Sequence, residues 1–316
     1  MNAEVIAEWC CRQGYQVIRT ESTYWCNEGL RVFQAFPWHW MITPSQHEVS
    51  QFLLQHGAVG VRYSTPVSAP LGSISYHTVY QNGTYDLHDL SHRARNGIRK
   101  GLQNVVIEQI PFERLAEEGW GLLAETLKRQ HRSHEEDYDR WCRRCKASSD
   151  LPGFEAWGAI ARGRLVAALL AVTCDDCYTM LNHQSATDYL PFHANNALTY
   201  IVTHNAINRP GITKVFYGVQ SLCASDEVDA FKMRMGYTAV PVRQRIQFHP
   251  GLVPILNRHT HRFTKYLVSR YPNHTRLSKI EGCLRFYQNG KLPLNQQVCP
   301  RLLKSDLETA TLSQAA

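Results

Sequence analysis

The sequence predicts an α/β (α+β) protein in which a mixed sheet is flanked by helices. Three observations carry this. Arg164-Leu-Val-Ala-Ala-Leu-Leu-Ala-Val-Thr173 is a near-continuous apolar run, the pattern of a strand buried on both faces. From residue 164 to residue 249 the order reads strand, turn, strand, helix, strand, capped helix, strand. Hydrophobic residues make up 44% of 316 positions and charged residues 19%, enough apolar surface for one large domain or two.

The elements follow in order. Residues 3–12 are spaced as a short amphipathic helix ending near Gly14, and 15–20 read as a strand. A strand within 30–40 stops at a turn set by Pro37. Ser45 caps a helix over 45–56, Glu48 completes a capping box, and Gly57 ends it. Strands over 59–63 and 74–80 flank a loop at 66–70. The base-rich stretch 90–102 carries His92, Arg93, Arg95, Arg99 and Lys100 as a helix, ahead of a strand over 105–110. Helices are expected over 112–132 and 135–147, with Leu151-Pro-Gly153 as the break. A strand over 154–161 enters the Arg162-Gly-Arg164 hairpin, and Asp175-Asp176 turns the long apolar strand into a partner over 178–184. A helix over 194–208, a strand over 214–220, a helix capped by Ser225 and stopped at Gly236, and a strand over 237–248 complete the unit. After Pro250 come a basic helix over 256–270 and a tail that frays past Pro300. The division expected along the chain is 1–90, a small mixed part; 91–249, the main unit; and 250–316, a helical extension.

The formal net charge of +7, with fifteen histidines uncounted, suits anionic partners and equally suits a solubility surplus. No run reaches the ~18 apolar residues of a membrane-spanning helix. The N-terminus is acidic and then amphipathic, unlike a secretory signal, so a cytoplasmic protein is expected. Ten cysteines then read as reduced thiols. Cys142/Cys145 and Cys174/Cys177 form two Cys-x-x-Cys pairs, but the gap between them exceeds the ~15–20 residues of zinc ribbons, and no metal is expected. Ser-His-Asp, Walker and dinucleotide signatures are absent from the sequence.

Three pieces resemble the FemAB-like members of the GNAT (acyl-CoA N-acyltransferase) superfamily. They are Ser91-His-Arg-Ala-Arg-Asn-Gly-Ile-Arg-Lys-Gly101, Glu125-Thr-Leu-Lys-Arg-Gln130, and Phe216-Tyr-Gly218 followed by Phe231-Lys-Met-Arg-Met-Gly-Tyr237. The resemblance covers about half of the chain and implies a GNAT-like mixed sheet, with residues 1–90 as a degenerate first copy of a tandem. It also implies transfer of an acyl or aminoacyl group from acyl-CoA or aminoacyl-tRNA to an amine, without metal or covalent intermediate. The acceptor would be a small-molecule or peptide amine. One departure stands out. Acyl-CoA-using relatives hold the pyrophosphate on a glycine-containing loop before the helix, whereas Ser185-Ala-Thr-Asp-Tyr-Leu-Pro-Phe-His-Ala194 contains no glycine.

In such a fold the oxyanion donors sit where two parallel strands splay, here the ends of 178–184 and 214–220. His183, Tyr217 and Gln220 are the catalytic candidates. His183 would accept the amine proton, Tyr217 would protonate the leaving group or orient the acyl unit, and Gln220 would hold substrate. Gln184, Ser221 and Lys232 are substrate-binding candidates, with Arg95 and Arg99 offered to a phosphate-bearing donor. Each has a plainer reading: a satisfied hydrogen-bonding residue, a core tyrosine, a turn former, or a solvated basic face. The rival to catalysis is a polyanion- or RNA-binding protein on the same scaffold, recognised by a steep salt dependence.

Overall fold

The computed structural model describes residues 2–27, 29–132, 136–222 and 226–303. In chain order these form α1 (Ala3–Arg12), β1 (Gln16–Arg19), β2 (Tyr24–Asn27), β3 (Val32–Phe36), α2 (Gln46–Gln55), β4 (Gly60–Thr65) and β5 (Ser73–Tyr80). There follow α3 (His92–Asn104), β6 (Val106–Gln109), α4 (Phe112–Arg129), α5 (Tyr138–Ser148), β7 (Phe154–Ala161), β8 (Arg164–Cys174) and β9 (Cys177–Ser185). The remainder is α6 (Ala194–Ile207), β10 (Lys214–Val219), α7 (Asp226–Arg234), β11 (Thr238–Phe248), α8 (Arg258–Arg270) and α9 (Thr275–Asn289). Ser225, the start of the helix expected at 135, and the tail beyond 303 lie outside the described residues.

The chain makes two compact units, and neither is a continuous stretch. One comprises residues 1–15, 79–218 and 225–238; the other comprises 16–78, 219–224 and 239–316. In the first, β6, β7, β8 and β9 form an antiparallel meander, and β10 joins β9 in parallel. In the second, β1, β2 and β3 run antiparallel, β4 joins β3 in parallel, and β11 pairs antiparallel with β4. Each parallel step is made by a helical crossover, α6 or α2, because parallel neighbours cannot be joined by a tight turn. The mixed sheet with flanking helices expected from the sequence is therefore present, and each unit repeats the same step from meander to parallel partner.

The apolar run of β8 is buried on both faces from Leu165 to Val172, as its composition requires. Its neighbours Trp157, Ala159, Tyr178 and Met180 pack with Ala197, Leu198 and Val202 of α6 into the core of the first unit. Glu155 anchors one end of this sheet. Its carboxylate accepts hydrogen bonds from Tyr178 Oη at 3.0 Å, Trp157 Nε1 at 2.9 Å and Arg209 Nη2 at 3.0 Å. Burial pushes the carboxyl up, but these donors outweigh it and hold Glu155 below the usual carboxylate range.

α3 rests on α6 through two glycines one helical turn apart. A Cβ at Gly101 would lie 2.5 Å from the His193 carbonyl oxygen and 2.8 Å from Ala197 Cβ, and one at Gly97 would lie 3.2 Å from Asn196 Nδ2. The resemblance segment is thus a packing face on one side (Ala94, Gly97, Ile98 and Gly101 are buried) and a basic surface on the other.

Gly101→Ala is expected to lower stability by ~1–3 kcal/mol, since backbone and not a pliable side chain blocks the methyl group. Gly121→Ala on α4, where nothing lies within 4 Å, is expected to raise it by up to ~1 kcal/mol. Urea unfolding of the two variants checks the contrast; equal effects would contradict the close α3–α6 approach.

Candidate active site

The strands β9 and β10 share only three register positions: Lys214 with Cys177, Val215 with Tyr178, and Phe216 with Thr179. β9 then continues to Ser185 and β10 to Val219 without pairing each other. Two local features drive them apart. The β8–β9 register shifts so that Leu170 faces Asn182 while Ala171 faces Met180, leaving Leu181 as the extra residue of a bulge. On β10, Gly218 adopts φ +130°, a conformation side-chain-bearing residues avoid, directly after Tyr217.

His183 and Tyr217 meet in the resulting wedge, with His183 Nδ1 2.5 Å from the Tyr217 hydroxyl. Phe231 of α7 packs at 6.3 Å from the His183 ring, and Tyr237 stands edge-on to Tyr217 at 5.2 Å. The wedge is therefore lined by aromatic side chains, with His183, Tyr217 and Phe231 each half-buried. His183 Nε2 and Asn195 Oδ1 on α6 are both sealed from solvent. Burial lowers the His183 pKa to about 4, with the Asn195 side chain acting in the opposite direction. The imidazole is neutral at pH 7. Burial also pushes the Tyr217 phenol up, with Thr199 acting the other way, so it stays protonated. In the tautomer with hydrogen on Nδ1, His183 donates to Tyr217 and keeps the Nε2 lone pair as an acceptor.

Lys232 brings positive charge to the same place. Its Nζ lies 5.3 Å from the centroid of the Tyr217 ring and 2.9 Å from Asp229 Oδ1, and both partners are almost wholly buried. The remaining candidates lie elsewhere. Gln184 alternates to the other face of β9, where its Nε2 donates to the Gly119 carbonyl of α4 at 3.1 Å. Gln220 belongs to a polar cluster of the second unit. Its Oε1 accepts from Ser75 Oγ at 2.9 Å, and its carbonyl accepts from Arg62 at 3.0 Å and from Gln244 at 3.3 Å. Ser221 is exposed beside it in sequence. Arg95 donates to the Leu90 carbonyl at 2.9 Å, and Arg99 is exposed. Asn195, Thr199 and Asp229 were not singled out from sequence. The paired asparagines opening α6 were the available signal.

The segment before α6 uses its own backbone donors. Ala186 N–H binds the Val166 carbonyl at 2.9 Å, Tyr189 N–H binds Ala186 at 3.3 Å, and His193 N–H binds Leu190 at 3.1 Å. Thr187 N–H binds Glu125 Oε2 at 2.6 Å, a bond that keeps Glu125 ionised. Among the described residues the cysteine pairs do not gather into a group of three or more close metal-type ligands. Burial pushes Cys145, Cys174 and Cys177 up to about 12. Among the described residues the one group of three metal-type ligands is Asp86, His88 and Asp89, largely exposed.

No family model matches the chain, and no curated protein does. Solved structures do. FemX is similar at a TM-score of 0.54 and 11% identity, over 79% of this chain and 93% of that one. The C-terminal DUF2156 domain named for a lysylphosphatidylglycerol synthetase, from Agrobacterium fabrum, is similar at 0.52 and 12%, over 80% and 90%. A conserved protein of unknown function from Bacteroides thetaiotaomicron is similar at 0.52 and 10%, over 78% and 90%. These likenesses show that the chain shares the overall fold of these structures, a mixed sheet flanked by helices.

The depressed His183 pKa has a consequence for stability. The unfolded state binds a proton near pH ~6.5 and the folded state only near 4, so between these values the unfolded chain holds more protons. The His183 contribution is whole above pH ~6.5 and is lost as pH falls toward 4, a total of roughly 3 kcal/mol. Urea melts across this window are expected to fall more steeply for the native protein than for His183→Gln. Parallel curves would contradict a sealed neutral imidazole.

Proposed function

We propose that the protein is an N-acyltransferase that moves an aminoacyl group from aminoacyl-tRNA to the amine of a small molecule or peptide. The observation that carries this is the wedge between β9 and β10, with a neutral histidine, a protonated tyrosine and a buried lysine at its mouth. Direct transfer needs a neutral amine, an acceptor for its proton, and positive charge or N–H donors for the oxyanion. In the reaction the amine nitrogen attacks the ester carbonyl carbon and its proton passes to His183 Nε2. The carbonyl oxygen gathers negative charge near Lys232 and the released backbone of β9. The carbon–oxygen bond to the ribose then breaks, and that oxygen takes up the proton. Tyr217 holds the imidazole in the tautomer that accepts. For substrate to reach Nε2, the side chains filling the wedge have to give way.

The choice of donor rests on the segment before α6. A pyrophosphate needs free backbone N–H groups there, but those of Ala186, Thr187, Tyr189 and His193 are bonded, and the ionised Glu125 stands among them. This disfavours acyl-CoA and leaves the aminoacyl ester. The names of FemX and of the synthetase domain agree with aminoacyl transfer.

Charged tRNA is expected to raise the melting temperature and to lose its aminoacyl group faster when an amine acceptor is present, while acyl-CoA does neither. His183→Ala is expected to lower kcat/KM by ~10²-fold with the fold intact. Stabilisation and turnover with acyl-CoA would overturn the donor; unchanged turnover in His183→Ala would remove the base. Steeply salt-dependent tRNA binding with no turnover would favour a binding protein instead.

A further inference from the structure

Residues 249–280 contain no aspartate or glutamate, but four arginines, two lysines and four histidines. They include α8, whose single buried side chain is Thr264. Phe263 is 62% exposed and Tyr266 63%, one turn apart on the same face as His259, Arg262 and Arg270. At the ends of α8, Ile255 is 60% exposed and Tyr271 55%. Val253, in the 3₁₀ turn Pro250–Ile255, is exposed as well. Among the described residues Arg258, Arg262, Lys265 and Arg270 have no ion-pair partner; the acidic Glu281 on α9 is taken by His261 at 3.0 Å and Arg285 at 3.4 Å.

Large apolar side chains held in water amid uncompensated positive charge mark a surface that meets a partner. We infer that α8 and the turn before it form a peripheral docking surface for an anionic phospholipid bilayer. The charge selects an anionic partner, and the apolar side chains decide which. A single-stranded nucleic acid gains from Phe263, Tyr266 and Tyr271 by stacking but has little use for Val253 and Ile255. A bilayer interface accepts aromatic and aliphatic side chains together, with arginine and lysine reaching the headgroups. No described helix is long and apolar enough to cross a membrane, so the attachment is along the surface and reversible. This surface is independent of the transferase reading.

The test uses the full chain sedimented with phosphatidylcholine vesicles with and without phosphatidylglycerol, and with RNA as competitor. Retention is expected only with phosphatidylglycerol, falling as salt rises. Arg262→Glu with Lys265→Glu, and separately Val253→Ser with Ile255→Ser, are each expected to cut retention by tenfold or more. All four positions are exposed, and thermal melts confirm that the variants fold. No retention on anionic vesicles would overturn the proposal. So would retention unaffected by the Val253/Ile255 pair. RNA binding that ignores that pair and displaces the vesicles would identify a nucleic-acid face instead.

Discussion

The first unit depends on how little of β9 and β10 is paired. Three register positions hold the two strands together at the Cys177–Thr179 end, and there Tyr178 is locked by Glu155 and Arg209. A parallel pair zipped along its whole length would bury its backbone and offer no chemistry. Here the fixed end acts as the base of a wedge, and the bulge at Leu181 and the turn of the chain at Gly218 keep the other end open to side chains. His183 and Tyr217 stand on those diverging ends, and Lys232 of α7 reaches the Tyr217 ring.

The protonation states in the wedge follow from the burial of its polar atoms. The imidazole stays neutral because charging it costs hydration that the Asn195 side chain does not make up. A buried phenol stays protonated for the same reason. Lys232 can remain among them because Asp229 neutralises it at 2.9 Å and the Tyr217 ring lies beneath it. A buried pair of this kind contributes little to stability by itself. In the segment before α6, the N–H groups of Ala186, Thr187, Tyr189 and His193 are bonded within the protein.

Much of this was legible in the sequence. The limits of β7 are those the pattern gives, and β8, β9, α6 and β10 fall within a few residues of expectation, because apolar runs and alternation report burial directly. β2 was not anticipated. Its four residues, Tyr24–Asn27, are too few to show alternation. Nor was α9 given a place, since Gly282 interrupts it where the helix backs onto Leu222. Of the candidate site residues, His183, Tyr217 and Lys232 come together, because strand ends and the helix after them are fixed by local pattern. Gln184 faces away because neighbouring strand residues alternate. Gln220 joins Arg62, Ser75 and Gln244, and no spacing could have announced this, since its partners are up to 158 positions away. Asn195 and Thr199 escaped notice because a helix start supplies a plain reason for polar residues.

The most direct test of the account is the protonation of His183 itself, followed by the ring-nitrogen chemical shifts of the labelled protein from about pH 8 to about pH 3. The account requires a neutral ring with hydrogen on Nδ1 that titrates only near pH 4. A ring that titrates near ~6.5, the value of a histidine in water, would mean that the wedge is wet and unbuilt for proton transfer, and would contradict it.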